Sequence, residues 1–88
     1  MKKILKERYD NLIQQLNEVD NSKNWNYPLE RANGNYDNAV FYLHCKLEYL
    51  ISCNNEKYVG GIENLNFYFY AIDIIEEIMY KNNSFKGV

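Results

Sequence analysis

Leu5, Tyr9, Leu12, Leu16 and Val19 follow one another at alternating intervals of four and three residues, the repeat that lines up one face of an α-helix. Ile13 widens the stripe, while Glu7, Gln14, Asn17 and Glu18 fall on the other side. The spacing predicts a helix over about residues 3–20 that buries one side only. The cluster Asp20-Asn21-Ser22 ends it, since these side chains compete for backbone hydrogen bonds.

A connection of about fifteen residues comes next, long for a compact domain. Trp25, Tyr27 and Leu29 give it an apolar anchor at alternate positions. Pro28 and Gly34 frame one short helical turn, with proline at the start and glycine past the end. Trp25 and Tyr27 read in two ways. They cap the open end of a bundle, or they belong to a binding loop.

A second helix opens at Asn35 or Asp37, both good N-cap types. Tyr36, Val40, Leu43, Leu47 and Leu50 repeat the four–three spacing, and the predicted span is about 36–54. At about 100° per residue, Phe41, Tyr42, Cys45 and Tyr49 lie away from that stripe. A surface helix is normally polar there. This one is apolar on two faces, so either neighbouring helices cover both or one face meets a partner.

Asn54-Asn55 and Gly60-Gly61 are breakers. Helix two reaches Tyr58 and stops at the glycines, or helix three begins near Glu56 and carries them through a close contact. A break at the glycines is favoured, because each glycine inside a helix costs roughly 1 kcal/mol. The third helix spans about 62–81. Leu65, Tyr68, Phe69, Ile72, Ile75 and Met79 form one stripe, and Phe67, Ala71, Ile74 and Ile78 adjoin it. Only Asn66, Asp73 and Glu77 make a polar strip. The run Phe67-Tyr68-Phe69-Tyr70 favours strand locally, but the length and period of the segment outweigh it. The fold class is therefore all-α: a small three-helix bundle with a long aromatic-anchored linker between helices one and two.

Composition narrows the function classes. With 88 residues the chain holds one domain and one core. Ten Lys/Arg against 12 Asp/Glu give a net charge of −2, without the basic excess that phosphate binding demands; no nucleic-acid partner is expected. The charge is unevenly placed. Lys2, Lys3, Lys6 and Arg8 open the chain, whereas Asp37 to Tyr80 holds seven acids and only Lys46 and Lys57 as bases. No apolar stretch follows the basic N-terminus and no run is long enough to cross a bilayer, which points to a cytoplasmic chain without a membrane partner. The 14 Asn and 9 Tyr match the coding habit of an AT-rich genome.

Parts for catalysis are scarce. His44 is the single histidine and sits one turn before Glu48, the spacing of a surface pair and too few ligands for zinc. Cys45 and Cys53 are about 12 Å apart along one helix, too far for a disulfide, and their acidic surroundings argue against reactive thiols. Gly60-Gly61 belongs to no phosphate-binding pattern. No enzyme activity, cofactor or metal is expected.

What remains is excess aromatic surface, and tyrosine is enriched at interfaces because it adds area with a polar tip. Trp25, Phe41, Tyr42, Cys45, Tyr49 and Tyr70 are the candidate partner-binding residues. The expected function is a small protein-binding module that contacts another protein and associates with itself. In length and style the chain resembles phage-encoded inhibitors of host defence, anti-CRISPR proteins among them, and the helical bacteriocin immunity proteins; no motif carries that resemblance. The alternative is a small-ligand or nucleotide binder, stacking a base on an aromatic ring while Lys2, Lys3, Lys6 or Arg8 meets phosphate.

Overall fold

The computed structural model describes residues 2–53 and 60–81, with side chains from Leu5 onward. Among the described residues four helices pack together: α1 (Lys2–Val19), α2 (Tyr27–Arg31), α3 (Tyr36–Cys53) and α4 (Ile62–Lys81). The three long helices coincide with the spans read from the four–three spacing to within a residue at each end. The short α2 is the helical turn that Pro28 and Gly34 frame.

Each turn between helices has a local chemical cause. The Asp20 carboxylate closes an Asx turn by accepting from Ser22 N–H at 2.9 Å and from the Ser22 hydroxyl. Its other oxygen takes the Lys23 ammonium at 2.7 Å. Pro28 occupies the first turn of α2, where a missing N–H costs nothing. The helix stops because Asn33 and Gly34 turn left-handed, at φ 54° and 81°, and Gly34 N–H donates back to Leu29 O at 3.0 Å. Asn35 then caps α3, its side-chain oxygen accepting from Asn38 N–H at 3.2 Å. Gly60 and Gly61 have φ of 97° and 104° and precede the first turn of α4. They stand outside that helix, as their cost within one requires. The expectation for residues 54–58 falls outside the described residues.

One core joins the elements. Leu5, Tyr9, Leu12 and Leu16 of α1 meet Ala39, Val40, Leu43, Leu47 and Leu50 of α3, together with Tyr68, Ala71, Ile75, Ile78 and Met79 of α4. All are buried. Fully burying a leucine or isoleucine contributes about 1.5–3 kcal/mol, so this cluster outweighs any surface contact in the molecule. Helix α3 is the hub, packing against α1, α2 and α4. Its Leu43, Leu47 and Leu50 side is buried, whereas Phe41, Tyr42 and Tyr49 on the opposite side are exposed. Helix α3 is therefore central without being enclosed.

Candidate protein-interaction face

The open side of α3 is built from Phe41, Tyr42, Cys45 and Tyr49. Phe41 is 36% exposed, Tyr42 38% and Tyr49 62%, and Cys45 is exposed with a free thiol. These positions fall within one arc of about 100°, while Leu43, Leu47 and Leu50 occupy the opposite arc and are buried. Asn38 and Ser52 complete the outer side. The charged residues of α3 stand at its margins, Asp37 and Glu48 on one side and Lys46 on the other.

Helix α2 extends this face. The Arg31 guanidinium lies 5.1 Å from the centroid of the Tyr42 ring, within cation–π range. Its Nη1 also donates to the Tyr27 hydroxyl at 3.3 Å. Tyr27, Arg31 and Tyr42 thus form an exposed aromatic–arginine group, the composition that dominates energetic centres of protein interfaces. Arg31 entered no sequence argument, because its neighbourhood to Tyr42 arises only when α2 folds back on α3. Tyr27, read as an anchor of the linker, points outward instead.

Two sequence expectations are corrected. Trp25, placed among the partner-binding residues, is 1% exposed and has no surface to offer. Its indole N–H donates to Asp20 O at 2.8 Å, its ring meets Tyr68 at 5.8 Å, and the Lys46 ammonium lies 5.5 Å from its centroid. Phe69, placed in the core stripe of α4, is 49% exposed; Tyr68 beside it takes the inward position. Tyr70 is exposed on α4 and packs at a tilt on Phe67, with centroids 5.5 Å apart. It lies on a different helix from the other candidates and does not join their arc.

His44 sits between α3 and α4. Nδ1 meets Glu48 Oε1 at 3.0 Å, as the one-turn spacing suggests, and Nε2 meets Glu76 Oε2 at 3.1 Å. The two carboxylates take opposite edges of the imidazole, so the three groups cannot converge on one ion. Among the described residues no grouping of histidine, cysteine and carboxylate side chains suits a metal. The arrangement fastens one helix to another.

A second concavity lies between the start of α1 and the α2–α3 turn, an open depression of about 490 Å³ lined by Lys6, Asn33, Tyr36 and Asp37 among others. It brings together a lysine and an aromatic ring, the pair a nucleotide site needs. Yet the Lys6 ammonium is held by Asp10 at 3.3 Å, and the Tyr36 hydroxyl donates to the same carboxylate at 3.0 Å. With Asp37 on its wall, the depression has no surplus of positive charge. Arg8 is likewise directed to Glu77, at 3.5 Å.

The chain matches no family model, and no curated protein or solved structure is significantly similar to it. Among the described residues no helix is long and apolar enough to cross a membrane.

Proposed function

We propose that this chain is a small non-enzymatic protein-binding module acting in the cytoplasm, with the outward face of α3 as its contact surface and self-association as one of its uses. The observation that carries this reading is the exposure of Phe41, Tyr42 and Tyr49 on a helix whose other side is fully buried. Large rings on one uncharged arc are costly to leave in water, and a partner surface offsets that cost. The adjoining Arg31 supplies a planar donor group beside the rings, which sets orientation as well as affinity.

The arc of Phe41, Tyr42, Cys45 and Tyr49 itself carries no charge, so it also tolerates a second copy of itself, because two-fold pairing brings like groups together and these rings do not repel. Light scattering across a micromolar concentration series tests this. The unmodified chain is expected to form a dimer or higher assembly. The variant carrying Tyr42→Ala and Tyr49→Ala is expected to remain monomeric while keeping its helical circular dichroism and its melting temperature. A chain that stays monomeric throughout the series overturns self-association. A double variant that melts instead places the rings in the folding core and removes the basis for the contact face.

A further inference from the structure

We propose that the outward face of α4 is a second docking surface, and that it takes an arginine- or lysine-rich segment of another protein. Ile62, Asn66, Phe69, Asp73 and Tyr80 follow one line along this helix, spanning about 27 Å at roughly 1.5 Å per residue. All five are exposed, with Ile62 at 62% and Tyr80 at 77%. Tyr70 flanks the line on one side. The face is therefore apolar and aromatic, interrupted by the Asn66 amide and the Asp73 carboxylate, with Glu63 on the flank where Tyr70 stands.

The charges decide what can cover it. Helix α4 carries Glu63, Asp73, Glu76 and Glu77 against a single base, Lys81. Glu77 is met by Lys81 at 3.0 Å and by Arg8, and Glu76 by His44. Glu63 and Asp73 make no ion pair or hydrogen bond among the described residues. A second copy paired through this line adds an equally acidic helix with no base on the line to answer Asp73, so like charge accumulates. A nucleic acid or an anionic membrane is repelled in the same way. A neutral apolar segment buries the Asp73 carboxylate without a counter-charge, which is costly. A guanidinium or ammonium satisfies both demands of the face. It pairs with the carboxylate and lies over the neighbouring ring, as Arg31 already does over Tyr42 within this chain. Methylenes of the same side chains cover Ile62 and Phe69.

Fluorescence anisotropy with the full chain tests the proposal. The probe is a labelled peptide of about five helical turns with Arg and Leu alternating at helical spacing. One control peptide carries Glu in place of Arg, and a second keeps every Arg but carries Ser in place of Leu. The Arg–Leu peptide is expected to bind at least about tenfold more tightly than either control, and its affinity is expected to fall as salt is raised. Glu63→Lys with Asp73→Lys, and separately Phe69→Ser with Tyr80→Ser, are each expected to weaken binding by about tenfold or more while leaving the helical spectrum unchanged. Equal binding of the Arg–Ser peptide reduces the effect to non-specific attraction and overturns the proposal. So does indifference to either pair of substitutions. Loss of self-association in the Phe69→Ser, Tyr80→Ser variant assigns the face to a second copy and overturns it as well. None of these results depends on the α3 face.

Discussion

The indole N–H of Trp25 donates to the main-chain carbonyl of Asp20 at 2.8 Å. That bond satisfies a carbonyl just past the end of α1 and draws the ring inward against Tyr68. It turns the connection between α1 and α2 into part of the core. The outer arc of α3 stays open because Trp25 is on the inner side, under Lys46.

Trp25 is accordingly the connection's most sensitive position. Trp25→Ala is expected to cost about 3–5 kcal/mol through the cavity it leaves. Trp25→Phe keeps most of the packing but leaves the Asp20 carbonyl without its donor, and is expected to cost clearly less, with about 1 kcal/mol from the lost bond. Urea unfolding followed by circular dichroism measures both. Equal stability of the alanine variant and the unmodified chain contradicts a core role.

Tyr9 makes the opposite prediction. Its hydroxyl is buried with no hydrogen-bond partner among the described residues, although its ring packs edge-on to Tyr36 at 5.3 Å. Burial, reinforced by the nearby Tyr36 and Asp10, pushes its ionisation well above the ordinary phenol range, so the group stays neutral at any physiological pH. Tyr9→Phe removes an unsatisfied polar atom and keeps the ring. It is expected to leave stability unchanged or raise it by about 1 kcal/mol, as read from the urea midpoint. A clear loss of stability means that the hydroxyl has a partner, such as a bound water.

Acid sensitivity centres on Asp20. Burial pushes this carboxyl upward, but hydrogen bonds from Lys23 and Ser22, with the Lys23 charge, outweigh it and hold the group below the usual carboxylate range. A depressed folded value means that the stabilisation is present above the unfolded value of about 3.9 and disappears as pH falls through the folded one. The stability gap between the unmodified chain and Asp20→Asn is expected to be constant near neutrality and to close below about pH 4. Thermal melts across that range decide the matter; a gap that persists in acid shows that the charge is not its source.

Cys45 reports on the α3 contact directly. It lies midway between Phe41 and Tyr49 on the outer arc, so an antiparallel two-fold crossing there sets Phe41 of one copy against Tyr49 of the other. Two thiols at such a crossing approach within disulfide range. Treatment with diamide, which accepts the two hydrogens released, is expected to give a covalent dimer that survives Cys53→Ala and vanishes with Cys45→Ala. Dimers that depend on Cys53 instead move the crossing toward the end of α3.

The spacing of leucines and isoleucines made the long helices and their inward faces legible, because a four–three repeat has one structural reading over eighteen residues. The outward placement of Phe41, Tyr42 and Tyr49 followed from the same angular argument. Where rings occupy consecutive positions the repeat discriminates less. Phe67 to Tyr70 sweep most of the helix circumference, so period alone cannot say that Tyr68 turns inward and Phe69 outward. Trp25 sits in a segment without period, and its direction is fixed by the hydrogen bond to Asp20 and by packing on Tyr68. The Glu76 partner of His44 and the Arg31 partner of Tyr42 come from separate elements, and no local pattern encodes such meetings.

The two-sided character of α3 has an evolutionary corollary. Leu43, Leu47 and Leu50 belong to the buried core, while Tyr42, Cys45 and Tyr49 alternate with them and are exposed. Point changes on the outer set can therefore accumulate and retune recognition with little penalty to folding. A single inserted or deleted residue is a different matter. It rotates everything beyond it by about 100°, driving tyrosines into the interior and leucines into water in one step, so this stretch should vary in letters but not in length.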